Sequence, residues 1–230
     1  MWVFEYLMRI YAVSCNSERA TRLLTAAAPL GLDIVIVNSP LATDPEVLTR
    51  GKTCLEAKTS YATGIAATIG HIRAMKQLVD DGFAWGIIIE DDVRFRKNFK
   101  TTVEVLEKHV SDADIVSLGY VNFPQGNVEF VNGIPLLKRV GLSNPWGAQC
   151  YMITRYYAKH LVELFSEGDL YEPYKGHFVT DWVLFDPALG CRRHTLVEPI
   201  AAEDPDEPTI AGNNNKMNFV AHYGRDSFAM

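Results

Sequence analysis

The spacing of apolar residues switches repeatedly along the chain. Runs rich in β-branched or other apolar residues occur within RIYAVSC (9–15), LDIVIVN (32–38), WGIIIEDDVRF (85–95), ADIVSLGY (113–120) and GAQCYMIT (147–154). Each predicts a strand. The stretches between them carry apolar residues at helical spacing: SERATRLLTAAAPLG (17–31), TGIAATIGHIRAMKQLVDDG (63–82), NFKTTVEVLEKHV (98–110) and residues 154–166. In the second of these, Ile65, Ile69, Ile72 and the Leu78/Val79 pair share a face. Thr63 is its predicted N-cap and Gly82 its predicted stop. Residues 39–62 read as irregular, 121–145 as turns with a hairpin, and the segment from about 196 to 230 as a loop-rich tail. Residues 1–8 read as an N-terminal arm.

Strands that alternate with helices predict an α/β fold. The expected arrangement is a single domain over 1–230, with a mostly parallel central sheet flanked by helices. The run Ile87-Ile88-Ile89 is apolar on both faces, as a central strand covered on both sides must be. In such sheets ligands bind at the carboxyl ends of strands. That end of this strand is Glu90-Asp91-Asp92.

Three adjacent carboxylates store repulsion. In extended backbone Glu90 and Asp92 point to one side and Asp91 to the other. Two like charges about 7 Å apart repel by roughly 2 kcal/mol at an effective dielectric near 20. A divalent cation turns that repulsion into attraction, and Mg²⁺ or Mn²⁺ favours carboxylate oxygens beside phosphates. A solvated acidic turn paired with Arg94 or Arg96 is the competing explanation.

Composition narrows the choice. The formal net charge is -6 and no basic run is present, so nucleic acid is not an expected partner. The four cysteines, at 15, 54, 150 and 191, form no CxxC pair. That argues against a zinc ribbon and for a reduced, cytoplasmic protein. MWVFEYLMRI is too short to span a bilayer, and no transmembrane segment is expected.

IIIEDDVRF resembles the acidic strand motif of nucleotide-sugar glycosyltransferases with the GT-A, Rossmann-like fold. More narrowly, the chain resembles glycosyltransferase family 25, the lipopolysaccharide and collagen galactosyltransferase type. SCNSERATRLL, TGIAATIGHIRAM, GAQCYMITRYYAKHL and VTDWVLFD follow in the family's order. Two positions depart from it: Gly70 stands where a serine precedes the helix histidine, and Ala67 where a cysteine is usual. The resemblance implies a metal-dependent transferase that uses Mn²⁺ or Mg²⁺. It moves a sugar from a nucleoside-diphosphate donor, with uridine the family's usual base, to a glycan or glycoconjugate hydroxyl with inversion.

Residue by residue, the resemblance puts Glu90 on the nucleotide, through ribose. Asp92 falls on the metal and diphosphate, and Asp91 on the loop or the sugar. His222 is the candidate for a further metal ligand, with an ordinary histidine as the alternative. Asp181 is the candidate base, with a helix N-cap as the alternative. Arg19 is placed to meet a phosphate or a uracil carbonyl, ahead of Arg22. His71 is read at a helix start that favours anions, or else as a core histidine. Gly147, with Ala148 and Gln149, allows close approach of the donor sugar, or serves only a turn. Trp146, Tyr171, Tyr174 and Trp182 are aromatics that stack on sugar or fill the core. Two other functions remain open: a non-catalytic sugar-nucleotide binding module, and a phosphatase of the haloacid dehalogenase type. The phosphatase site wants Asp-x-Asp, and here the first acid is Glu90.

Overall fold

The computed structural model describes residues 8–121, 126–138, 147–165, 167–171, 175, 178–204 and 227–228. Chain order among them is β1 (Arg9–Ser14), α1 (Ser17–Ala27), β2 (Ile34–Asn38), α2 (Pro45–Arg50), α3 (Lys52–Glu56), α4 (Ala62–Asp81), β3 (Trp85–Glu90) and β4 (Val93–Phe95). It continues with α5 (Phe99–His109), β5 (Ile115–Gly119), β6 (Val128–Val131), β7 (Ile134–Lys138), β8 (Cys150–Thr154), α6 (Arg155–Phe165), α7 (Thr180–Phe185), β9 (Arg193–Leu196) and β10 (Ala201–Glu203).

Eight strands form one sheet in the order β2-β1-β3-β8-β5-β9-β7-β6. Six of the eight run in one direction; β8 and β7 are reversed. The mostly parallel α/β sheet is therefore present, and the predicted hairpin is β6–β7. Alternation along each strand separates two apolar layers. Tyr11, Ile88, Tyr151 and Ile153 face α4, α6 and α7. Ile10, Ala12, Ile87, Ile89 and Met152 face α1 and α5.

Several local expectations are revised. Residues 39–62 contain α2 and α3 rather than irregular chain. Helix α4 begins at Ala62 with Tyr61 at its N-cap, so Thr63 lies inside the first turn; Gly82 is its stop. The strand read as continuous over 85–95 breaks after Glu90. Its second half, β4, leaves the main sheet and pairs antiparallel with β10, inside the segment read as loop. Strand β9, for which the sequence gives no strand signal of its own, lies between β5 and β7.

Gly70 has a packing reason. A Cβ there would come within 2.5 Å of both Val13 Cγ1 and Ser39 Oγ, so only glycine lets α4 lie this close to β1. All four cysteines are free. Among the described residues, no helix is long and apolar enough to cross a membrane.

Candidate active site

At the carboxyl ends of β1 and β3 the sheet opens into a cavity of about 600 Å³, ample for a small ligand. Because β8 is reversed, the chain that leads into it, residues 147–149, arrives at this same edge. The first turn of α7 and the end of β10 complete the rim. Arg19, His71, Glu90, Asp91, Asp92, Gly147 and Asp181 all line this one cavity. Ala148, Gln149 and Trp182 line it too, whereas Arg22 does not; His222 lies outside the described residues.

Extended backbone stops at Glu90, so the predicted alternation of the three acids does not hold. Asp91 and Asp92 form a turn, and both reach Arg19. Its Nη2 lies 2.8 Å from Asp91 Oδ1 and 2.8 Å from Asp92 Oδ2. Asn16 caps α1 by accepting from the N–H groups of Glu18 and Arg19, which fixes where Arg19 starts. The compensating charge sought from a metal is thus partly supplied by this guanidinium. Arg94 and Arg96 turn away, to Asp204 and Glu198. Ser14 adds an O–H donated to Asp91 Oδ2 at 2.5 Å.

Arg19 does not balance the site. Burial pushes Asp92 up to about 7, with Glu90, Glu203 and Asp91 adding repulsion and Arg19 opposing them. Asp91 is also raised: burial outweighs the help of Ser14 and Arg19. Asp92 Oδ1 is buried without a hydrogen-bond partner among the described residues, an arrangement that costs free energy unless something else satisfies it.

Asp181 is inside the first turn of α7, where Val179 holds the N-cap position. Its carboxylate accepts from its neighbour Trp182 N at 3.1 Å and from the backbone N–H of Gly147. Burial raises its pKa, against those backbone bonds, and Glu90 adds to the rise. Gly147 sits at φ +110, and a Cβ there would collide with the Gln149 carboxamide. Glycine is therefore required for the chain to bring its N–H to Asp181. Thr68 and Thr180 hydroxyls meet at 3.2 Å and tie α7 to α4.

His71 lies midway along α4, not at its start, so the helix-dipole argument does not apply. It is wholly buried, with Nδ1 2.9 Å from the Tyr151 hydroxyl and Nε2 3.6 Å from Glu90 Oε1. Trp182 lines the cavity, whereas Tyr171 packs against the core. Trp146 and Tyr174 lie outside the described residues. The sequence pattern gives no reason to single out Tyr61 or Glu203. Ser14 is recoverable, since it lies one residue before the end of a predicted strand, at the ligand edge. Tyr151 carried a weaker signal, a hydroxyl within an otherwise apolar strand.

Residues 62–172 match the model of Glycosyltransferase family 25 (LPS biosynthesis protein). That segment holds His71, the three acids and Gly147. That segment is similar to family 25, and the protein is a glycosyltransferase. No curated protein matches the chain. Among solved structures, the chain is similar to a glycosyltransferase involved in the glycosylation of the major capsid of PBCV-1. That likeness has a TM-score of 0.49 and 10% identity over 87% of this chain and 95% of the other. It is also similar to a mannose-1-phosphate geranyltransferase from Thermus thermophilus, with a TM-score of 0.40 and 11% identity over 82% and 72% of the two chains.

Proposed function

We propose that the protein transfers a sugar from a nucleoside-diphosphate donor, UDP-linked by family habit, to a glycan or glycoconjugate hydroxyl, with inversion and with a divalent cation. The sheet is read as the GT-A type. One observation carries the reading: at the carboxyl end of β3, Asp92 keeps a buried carboxylate oxygen without a partner among the described residues, inside a cavity that also holds Asp181.

The donor set suits a hard cation. Among the described residues, no group of three His, Cys, Asp or Glu side chains is placed to hold a metal ion. Mg²⁺ and Mn²⁺ need no such cage when one or two carboxylates act together with substrate phosphates. Asp92 would hold the cation, with His222 a candidate further ligand. The cation would neutralise the charge that develops on the departing diphosphate. Arg19 keeps Asp91 and Asp92 in place, Glu90 faces the nucleotide, and the bare backbone at Gly147 leaves room for the donor sugar. Asp181, its affinity for a proton raised by burial, takes the proton from the acceptor hydroxyl.

The test is sugar transfer, followed as nucleotide release from a panel of UDP- and GDP-sugars with and without Mn²⁺. The expected result is turnover that chelation abolishes and Asp92→Ala removes. Undiminished turnover of Asp92→Ala would overturn the reading.

A further inference from the structure

We propose that Tyr151, lying behind the cavity wall, is a positioning residue. Its hydroxyl fixes His71 as the tautomer with its proton on Nε2, which aims an N–H at Glu90 and the cavity. Tyr151 sits on β8, between β3 and β5, and is wholly buried. Its ring stacks on His71, with 5.7 Å between centroids and 17° between planes, and its hydroxyl lies 2.9 Å from Nδ1. His71 is the only hydrogen-bond partner of that hydroxyl among the described residues. A phenol has one proton to give. Donating it to Nδ1 satisfies both atoms, whereas a protonated Nδ1 strands the hydroxyl proton in an apolar core.

The other side of the ring gives the same answer independently. Nε2 is buried without a hydrogen-bond partner among the described residues and faces Glu90 Oε1 at 3.6 Å. A carboxylate only accepts. A bare Nε2 would set lone pair against lone pair, while a protonated Nε2 attracts the carboxylate. At 3.6 Å this N–H orients Glu90 without forming a full hydrogen bond to it, so it remains available to a ligand oxygen. Gln149 Oε1 is likewise buried without a partner among the described residues, and it lines the same cavity. One unspent donor and one unspent acceptor in one cavity suit a hydroxyl of the donor's sugar or ribose, which both gives and takes a hydrogen bond. This last step rests on the proposed transferase reading; the tautomer does not.

The experiment is ¹⁵N NMR of histidine-labelled protein at about pH 8, above the ordinary histidine range, with His71→Gln used to assign the His71 resonances. A proton on Nε2 and a bare Nδ1 are expected, and a proton on Nδ1 overturns the proposal whether or not any nucleotide binds. Tyr151→Phe keeps the ring and removes only the hydroxyl. It should weaken the preference for Nε2–H, so that part of His71 moves to the other tautomer even with Glu90 still in place, and raise the donor KM about tenfold, the scale of one lost hydrogen bond, with kcat changed much less. An unaltered tautomer population in Tyr151→Phe would also contradict it, whereas a shifted tautomer with an unaltered KM would overturn only the ligand step.

Discussion

Two aspartate clusters sit at opposite edges of one sheet and differ in how they are paired. At the amino ends of β5 and β9, Asp114 accepts three 2.9 Å bonds from Arg192, from its backbone N, Nε and Nη2. Asp112 is met by His194 Nε2 at 3.1 Å and Lys138 Nζ at 3.2 Å. Burial works to raise both acids, but these hydrogen bonds outweigh it and hold them below the usual carboxylate range. At the carboxyl end of β3, one guanidinium serves Asp91 and Asp92 together, and both are raised. The paired cluster stabilises the fold. The under-paired cluster is costly to the fold alone and suits a cationic ligand, as perturbed groups in a cavity often do.

The contrast makes graded predictions. Asp92→Asn should lower sugar transfer by about 10³-fold, measured as kcat/KM, because it removes the proposed anchor for the developing charge. Asp181→Asn should lower kcat by about 10²-fold with UDP binding kept, as loss of a general base requires. Asp114→Asn should give no such loss of transfer, yet destabilise by about 2 kcal/mol in denaturant melts at about pH 7, since it disrupts a buried, multiply bonded partner.

Stability against pH should carry opposite signs at the two edges. Asp114 has a depressed folded pKa, so its contribution is full above the ordinary value of 3.8 and is lost as pH falls through the folded value. Asp92 has a raised one, so its contribution is full below 3.8 and is lost as pH rises through about 7. Asp92→Asn is therefore expected to stabilise the apoprotein by about 1 kcal/mol at about pH 8. A destabilisation as large as that of Asp114→Asn would break the comparison. The smallest effect is expected from Lys138→Ala, which removes a half-buried partner of Asp112: a melting shift below that of Asp114→Asn.

Local signals in the sequence carry much of the fold. The isoleucine run places β3 in the sheet's interior, helical spacing places α4, and Gly82 marks its end. The acids are legible for the same reason: a two-faced apolar strand must be central, and its carboxyl end is where ligands gather. What stays hidden depends on pairing between distant segments. Nothing local reveals that β8 runs reversed between β3 and β5, or that β4 leaves the sheet to meet β10 more than a hundred residues on. Arg19 reads as facing a ligand because its partners lie about seventy residues away. The helical spacing over 63–82 already puts His71 about two turns past its predicted N-cap, so its helix-start reading conflicts with the local pattern; what that pattern hides is the partner, Tyr151. Ser14 can be placed at the ligand edge from its strand alone, but its bond to Asp91 pairs distant segments and cannot be read locally.

The most direct test of the central claim is calorimetric titration of the protein with UDP and with GDP, each with and without Mn²⁺, alongside Asp92→Asn. The account predicts that one nucleotide binds, that binding needs Mn²⁺, and that Asp92→Asn loses it while remaining folded by circular dichroism. Binding of neither nucleotide to a folded wild-type protein, or metal-dependent binding that survives in Asp92→Asn, would contradict it.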